Sequence, residues 1–310
     1  MREFSISCKL MGKGFELAVV QPNEASATEL LRIGIDEIRR IENLLSEFIP
    51  TSETSLLNQF AGNKAVTISP ESFELIERCL NISKLTSGCF DISTSPLKKL
   101  YSFTNAEFSF PDNELIQLTL KKTGFRKIIP DKKNHSISFS HPNLAISFAA
   151  VGKGYAADRV KQLWTSLGVK SGYINASGDL TAFGTKPNGE KWKIGISNPE
   201  NRSKILMYIP LTNAAVATSG DYEQFFMHNN IRFSHTIHPF TGKPMQGLKS
   251  VSVFSPSAEL SDALATALFV MGVREGIRFI NQLPHTHCIF IDFEDKIHFS
   301  KNLQYEEIPA

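Results

Sequence analysis

Apolar residues recur every three or four positions between 25 and 48: Leu31, Ile35, Ile38, Ile41, Leu45 and Phe48. That period lays them along one stripe of an α-helix and fits no strand. A helix with one apolar stripe has to bury it, so the rest of the chain must supply a receiving surface. Strand-like segments at 15–20, 127–129, 136–140, 144–148, 173–175, 192–196, 205–209, 251–254 and 288–293 provide one. Helical patterns interrupt them irregularly. One opens with Ser69-Pro70, a capping side chain followed by the residue suited to the first helical position, and carries Phe73, Ile76 and Leu80. Others cover 154–167, closed by Gly168, then a segment after Pro256-Ser257 running to Met271, and 274–283. Strands and helices mixed without βαβ alternation predict an α+β protein. No linker, low-complexity tract or internal repeat divides the chain, so residues 1–310 read as one domain.

Composition narrows the function classes. Lys and Arg total 33 against 31 Asp and Glu, and a net charge of +2 gives no electrostatic footprint for nucleic acid or an anionic membrane. No apolar run approaches the roughly 20 residues of a membrane span. Residues 1–8 lack the apolar core of a secretory or lipoprotein signal, so the chain as written reads as cytoplasmic, and as periplasmic if a leader has been removed. Cys8, Cys79, Cys89 and Cys288 form no Cys-x-x-Cys pair and read as reduced core thiols.

Several short segments bear chemistry. Asp262 and Thr266 stand four apart in the helical Asp-Ala-Leu-Ala-Thr-Ala run, hence on one face among small apolar neighbours. A carboxylate and a hydroxyl there make half a site for Mg²⁺, a hard ion that takes oxygen ligands and leaves positions for phosphate and water. The same pair would equally suit a carboxylate bridged to a Lys or Arg and a Thr bonded to its own helix. Gly152-Lys153-Gly154 joins a strand-like run to a helix, where glycines admit a ligand to the backbone and the helix start favours an anion. It is neither a Walker loop nor a dinucleotide fingerprint, and a solvated turn has the same composition. Ser-Gly-Asp occurs twice, at Ser177-Gly178-Asp179 and Ser219-Gly220-Asp221, and each time reads as a turn after an apolar strand. His235 and His238 are three apart, which in a strand puts them on opposite faces and argues against shared ligation. His235 alone suits a general base, although a satisfied core histidine would look the same.

In order along the chain, these segments resemble the ApbE family of flavin transferases. The resemblance rests on Met11-Gly12, Leu45-Ser46-Glu47-Phe48, Ser55-Leu56-Leu57-Asn58, Phe90-Asp91-Ile92 with Pro96-Leu97, and Ala150-Val151-Gly152-Lys153-Gly154-Tyr155-Ala156. Ala217-Thr218-Ser219-Gly220-Asp221-Tyr222, Ser234-His235-Thr236-Ile237 and Ser261-Asp262-Ala263-Leu264-Ala265-Thr266-Ala267 complete it.

The resemblance implies a two-lobed mixed fold related to the tunnelling fold, with FAD in a cleft between lobes. It implies Mg²⁺ held by the Asp262 carboxylate, the Thr266 hydroxyl and the Ala150 carbonyl. Met11, Phe48, Cys89, Phe90, Asp91, Lys153, Ser177, Gly178, Asp179 and Ile237 would contact FAD, and His235 would activate the acceptor. The implied reaction moves FMN from FAD to a Thr or Ser hydroxyl of a target flavoprotein and releases AMP. The alternatives are hydrolysis of FAD to FMN and AMP, or flavin binding without catalysis. Four places depart from the family pattern. Ile146-Ser147-Phe148-Ala149 replaces Leu-Asp-Leu-Gly, Ser177 replaces the first Gly of Gly-Gly-Asp, and His238 replaces the Asp of Ile-Asp-Pro. The tract beginning Lys98-Lys99 stands where Trp-Gly-Phe-Gly is usual.

Overall fold

The computed structural model describes residues 1–103, 110–221, 225–229 and 231–307. Its first half contains β1 (Arg2–Leu10), β2 (Lys13–Gln21), α1 (Glu24–Leu45), α2 (Glu53–Gln59), β3 (Val66–Thr67), α3 (Pro70–Leu85), α4 (Ser95–Lys98), α5 (Asn113–Leu120), β4 (Ile128–Asp131), β5 (Ser136–Phe139) and α6 (Gly152–Ser166). The second contains β6 (Gly172–Ala176), β7 (Asp179–Phe183), β8 (Trp192–Asn198), β9 (Asn201–Leu211), β10 (Ala214–Gly220), β11 (Phe225–His228), β12 (Ile231–Ser234), β13 (Leu248–Ser255), α7 (Ala258–Ile280), β14 (His287–Asp292), β15 (Ile297–Phe299) and β16 (Glu306–Glu307).

Eight strands form one antiparallel sheet in the order β1-β2-β6-β7-β10-β13-β14-β15. Alternation along these strands buries both faces. Val19, Phe183, Ala215, Val253 and Phe290 point into the main core under the helices. Their neighbours Val20, Ala182, Val216, Phe254 and Ile289 point into a second core, closed by Trp192, Met207, Ile209 and Leu211 of the β8–β9 hairpin. Three helices cover the first face in sheet order: α1 over β1 and β2, α6 over β6 and β7, and α7 over β10 and β13.

The amphipathic stretch is α1. Asn23 caps it by accepting from the Ser26 N–H at 3.0 Å, and Leu31, Ile38, Ile41 and Leu45 are buried. Gly34 sits where a Cβ would come within 2.8 Å of Leu17 and 2.9 Å of Trp164, so α1 presses closely onto β2 and α6. The helix stops at Leu45 rather than running on to Phe48, which lies beyond the cap and is 85% exposed.

Three further readings need correction. Residues 144–148 are not a strand. The Asn58 side chain bonds both the N–H and the C=O of Ile146, and the Ile92 carbonyl accepts from the Ser147 N–H, so a side chain and a loop do what a neighbouring strand would. Ser219-Gly220 is not a turn: both residues pair with β13 inside β10. His235 and His238 do not share a strand, because β12 ends at Ser234. His238 instead accepts from the Phe240 N–H at 3.2 Å in the following loop.

Candidate active site

The site begins where α6 meets α7. Gly154 leaves no room for a side chain: a Cβ there would lie 2.2 Å from the Ala258 carbonyl oxygen, so the two helices touch backbone to backbone. One turn later Asp158 fastens the contact. Its Oδ2 accepts from the Ser257 hydroxyl at 2.8 Å and from the Glu259 N–H at 2.9 Å, satisfying a donor of the first turn of α7. Ser257 caps the same helix by accepting from Leu260 N–H. Arg78 of α3 then grips Glu259 with two hydrogen bonds of 2.7 and 3.1 Å. Asp158 and Gly154 thereby fix the register of α7, and with it the position of Asp262.

Asp262 is 5% exposed and faces the first turn of α6. Its Oδ2 lies 3.4 Å from Lys153 Nζ and 3.5 Å from the Gly154 N–H. Asp179, 3% exposed, places its Oδ2 2.7 Å from the same ammonium. Two carboxylates around one ammonium leave a formal −1 within this trio, at a helix start that itself favours negative charge. Thr266 is half-buried one turn beyond Asp262 on the same face, and Ala150 lies two residues before α6. Among the described residues no three His, Cys, Asp or Glu side chains are grouped to hold a metal. The carboxylate and hydroxyl oxygens here are of the kind Mg²⁺ takes, an ion that needs few protein ligands.

The β6–β7 turn carries Asp179 into place. Ser177 and Gly178 have φ of 57° and 105°, and the Gly178 N–H donates to Asn175 Oδ1 at 2.9 Å. Positive φ at both central residues suits the twist of a two-residue hairpin. Met11 reaches the same region. Its N–H donates to Glu42 at 3.0 Å, and its methyl lies 3.6 Å from where a Gly152 Cβ would be. A trough of about 660 Å³ runs past the tips of both hairpins, lined by Lys13, Glu16, Asn175 and Ser177 among others.

The other expected contacts are placed differently. Phe90 is 1% exposed in the main core, and Ile237 is buried against Leu97 and Tyr101, so a flavin would meet them only through their backbones. Asp91 accepts from the Ser93 N–H, the Ser93 hydroxyl and the Phe125 N–H, at 2.7 to 2.8 Å. Burial pushes its carboxyl up while those bonds pull it down, so the side chain braces its own loop. Burial also raises the Cys89 thiol, which keeps it protonated. Phe48 projects into solvent. His235 is half-buried just past β12, on a segment that returns through the Ile237–Pro244 bridge. Tyr222 lies outside the described residues.

The ApbE family profile matches residues 11–290. This chain belongs to the ApbE family. An FAD:protein FMN transferase from Klebsiella pneumoniae is 30% identical over 94% of this chain and 89% of its own length. The crystal structure of the ApbE protein of Thermotoga maritima superposes with a TM-score of 0.89, at 28% identity over 97% of each chain. That of the flavinyl transferase ApbE from Pseudomonas stutzeri gives 0.85, at 25% identity over 96% of this chain and 94% of that one. The mixed α+β architecture is therefore that of ApbE proteins. No helix among the described residues is long and apolar enough to cross a membrane.

Proposed function

We propose that this ApbE protein transfers the FMN half of FAD to a Thr or Ser hydroxyl of a partner flavoprotein and releases AMP. The convergence of Lys153, Asp179 and Asp262 at the start of α6 carries the reading, in a chain whose relatives are FAD:protein FMN transferases. Asp262, Thr266 and the Ala150 carbonyl would hold Mg²⁺, which when bound neutralises charge on the diphosphate oxygens. Lys153 and the N–H groups of the first turn of α6 bind and orient the same diphosphate, supplying fixed positive potential where the leaving phosphate gathers charge. The hydroxyl oxygen of the acceptor bonds to the FMN phosphorus as the bond to the AMP phosphate oxygen breaks. His235 takes the hydroxyl proton. Cys89, Phe90, Asp91 and Ile237 would shape the flavin pocket through backbone and loop geometry, with Met11 and Phe48 at its edge. The whole chain acts as one domain.

The test is to incubate the protein with FAD, Mg²⁺ and an acceptor already shown competent with another transferase, and to read covalent flavin on the acceptor. Labelling that falls at least about a hundredfold in Asp262→Ala supports the reading. AMP release without labelling would replace it with FAD hydrolysis, and neither product would leave flavin binding alone.

A further inference from the structure

α6 and α7 meet start against start, and each carries a carboxylate onto the other. Asp158 is the seventh residue of α6 and Asp262 the fifth of α7. Asp158 Oδ2 reaches the first turn of α7, accepting from the Ser257 hydroxyl at 2.8 Å and from the Glu259 N–H at 2.9 Å. Asp262 Oδ2 faces the first turn of α6, 3.5 Å from the Gly154 N–H. Between the two contacts the backbones touch, at Gly154 and Ala258, with no flexible side chain to take up a shift. Two other ties hold the start of α7. Arg78 donates to Glu259 from α3, and the buried Ser261 hydroxyl lies 2.8 Å from the Ser255 hydroxyl of β13. Neither comes from α6; the Asp158 carboxylate does.

We propose that Asp158 is a positioning residue for FMN transfer: by capping α7 from α6, it keeps Asp262 and Thr266 in register with Lys153. A metal held by α7 and a diphosphate held by α6 then meet. Glu259 stands three residues before Asp262, so the two lie on neighbouring positions of one helix face. A shift at the Glu259 N–H therefore reaches Asp262 through a single turn. Displacements of about 1 Å are enough to spoil a reacting geometry. Without the Asp158 carboxylate, the Glu259 N–H loses its acceptor. Ser257 still caps α7 by accepting from the Leu260 N–H at 3.2 Å, so the helix persists while its tie to α6 is lost. Asp158 touches no reacting atom; it acts through the helix that carries Asp262.

The proposal rests on the transferase reading, and the experiment separates the two. Mn²⁺, a paramagnetic stand-in for Mg²⁺, is titrated into the wild-type full chain with ADP present and followed by electron paramagnetic resonance. A wild type that binds no metal overturns the Mg²⁺-dependent transferase reading. The same titration is run on Asp158→Ala, Asp158→Asn and Asn23→Ala, with circular dichroism confirming that each is folded. Asp158→Ala should weaken Mn²⁺ about tenfold and raise by as much the Mg²⁺ concentration for half-maximal FMN transfer. Asp158→Asn should stay within about threefold of wild type, because its amide oxygen still accepts from the same donors. Asn23→Ala removes a helix cap of the same kind from α1 and should leave the metal affinity unchanged. A folded Asp158→Ala protein within twofold of the wild-type metal affinity would overturn the proposal, as would an equal loss in Asn23→Ala. Should Asp158→Ala fail to fold, Asp158→Glu, whose carboxylate stands one methylene further out, carries the same test with the same expected loss.

Discussion

Ser-Gly-Asp occurs twice on the central sheet, and the two copies behave differently. In the β6–β7 turn, Ser177 and Gly178 reverse the chain with positive φ, and the strands pair up to Ala176 and Asp179. At the end of β10, Ser219 and Gly220 stay extended and pair with Val251 and Ser250. Both aspartates are almost fully buried. Asp179 has an ammonium at 2.7 Å in the candidate active site. Asp221 has the Arg232 guanidinium at 3.4 Å, and that guanidinium also lies 3.5 Å from Glu200. Burial pushes the Asp221 carboxyl up to about 6, with Arg232 pulling it down and Glu200 pushing it up. One tripeptide thus yields a buried carboxylate against Lys153 in one place and a buried carboxylate against Arg232 in the other. The difference comes from the length of the strand around it and from the cation it meets.

The largest expected effect breaks the pair by function. Asp179→Asn keeps the shape but removes the charge that holds Lys153 toward the start of α6. FMN transfer should fall about a hundredfold, or ~2.7 kcal/mol in activation free energy. Asp221→Asn should leave transfer within about twofold. Equal losses in the two variants would show that burial alone, rather than the Lys153 contact, makes an aspartate matter here.

The next effect is on stability against pH. The folded-state pKa of Asp221 lies above its ordinary value of 3.8, so between about 4 and about 6 the folded protein holds a proton that the unfolded chain has released. The contribution of this group is present in full below that window and is lost as pH rises through it. Asp221→Asn removes the titration. The wild type should therefore lose on the order of 1–2 kcal/mol more stability than the variant between pH 4 and pH 7. Urea unfolding of both proteins at the two pH values checks the sign. A variant that loses more than the wild type would overturn it.

The legible parts of the molecule were those with a strong period or a cap. The stripe of α1, the Ser69-Pro70 start of α3 and the Gly168 stop of α6, where φ is +83°, all express local physics. So does the division of the last helical region, because Gly272 breaks α7 between the two segments expected there. β1 was not legible: it is a sheet edge whose residues are mostly exposed, so it carries no apolar alternation, and its pairing with β2 defines it. Residues 144–148 have the right composition for a strand but take their bonds from Asn58, 88 positions away from Ile146. In the site, Lys153, Asp179 and Asp262 could be nominated from type and setting. Their convergence depends on the Gly154–Ala258 contact and the Asp158 clasp, which join segments about a hundred residues apart. A small residue beside a helix start was the one available signal for Gly154. Nothing in the sequence near Asp158 marked its partner.

The smallest effect sharpens the backbone side of the comparison. Ser177 occupies the left-handed region at φ 57°, which costs an L residue about 1 kcal/mol relative to glycine, while glycine costs a comparable amount of unfolded-chain entropy. Ser177→Gly should therefore change stability by less than about 0.5 kcal/mol. Ser219 is extended within a strand, where glycine has no conformational advantage and still carries the entropic penalty. Ser219→Gly should destabilise by about 0.5–1 kcal/mol. The two variants differ by the same chemical change in the same tripeptide, so denaturation midpoints measured side by side isolate the backbone term. Equal midpoints would mean that the two serines do not occupy the different conformations described for them. A larger loss at Ser177 would mean that its hydroxyl stabilises the turn by more than the left-handed backbone costs.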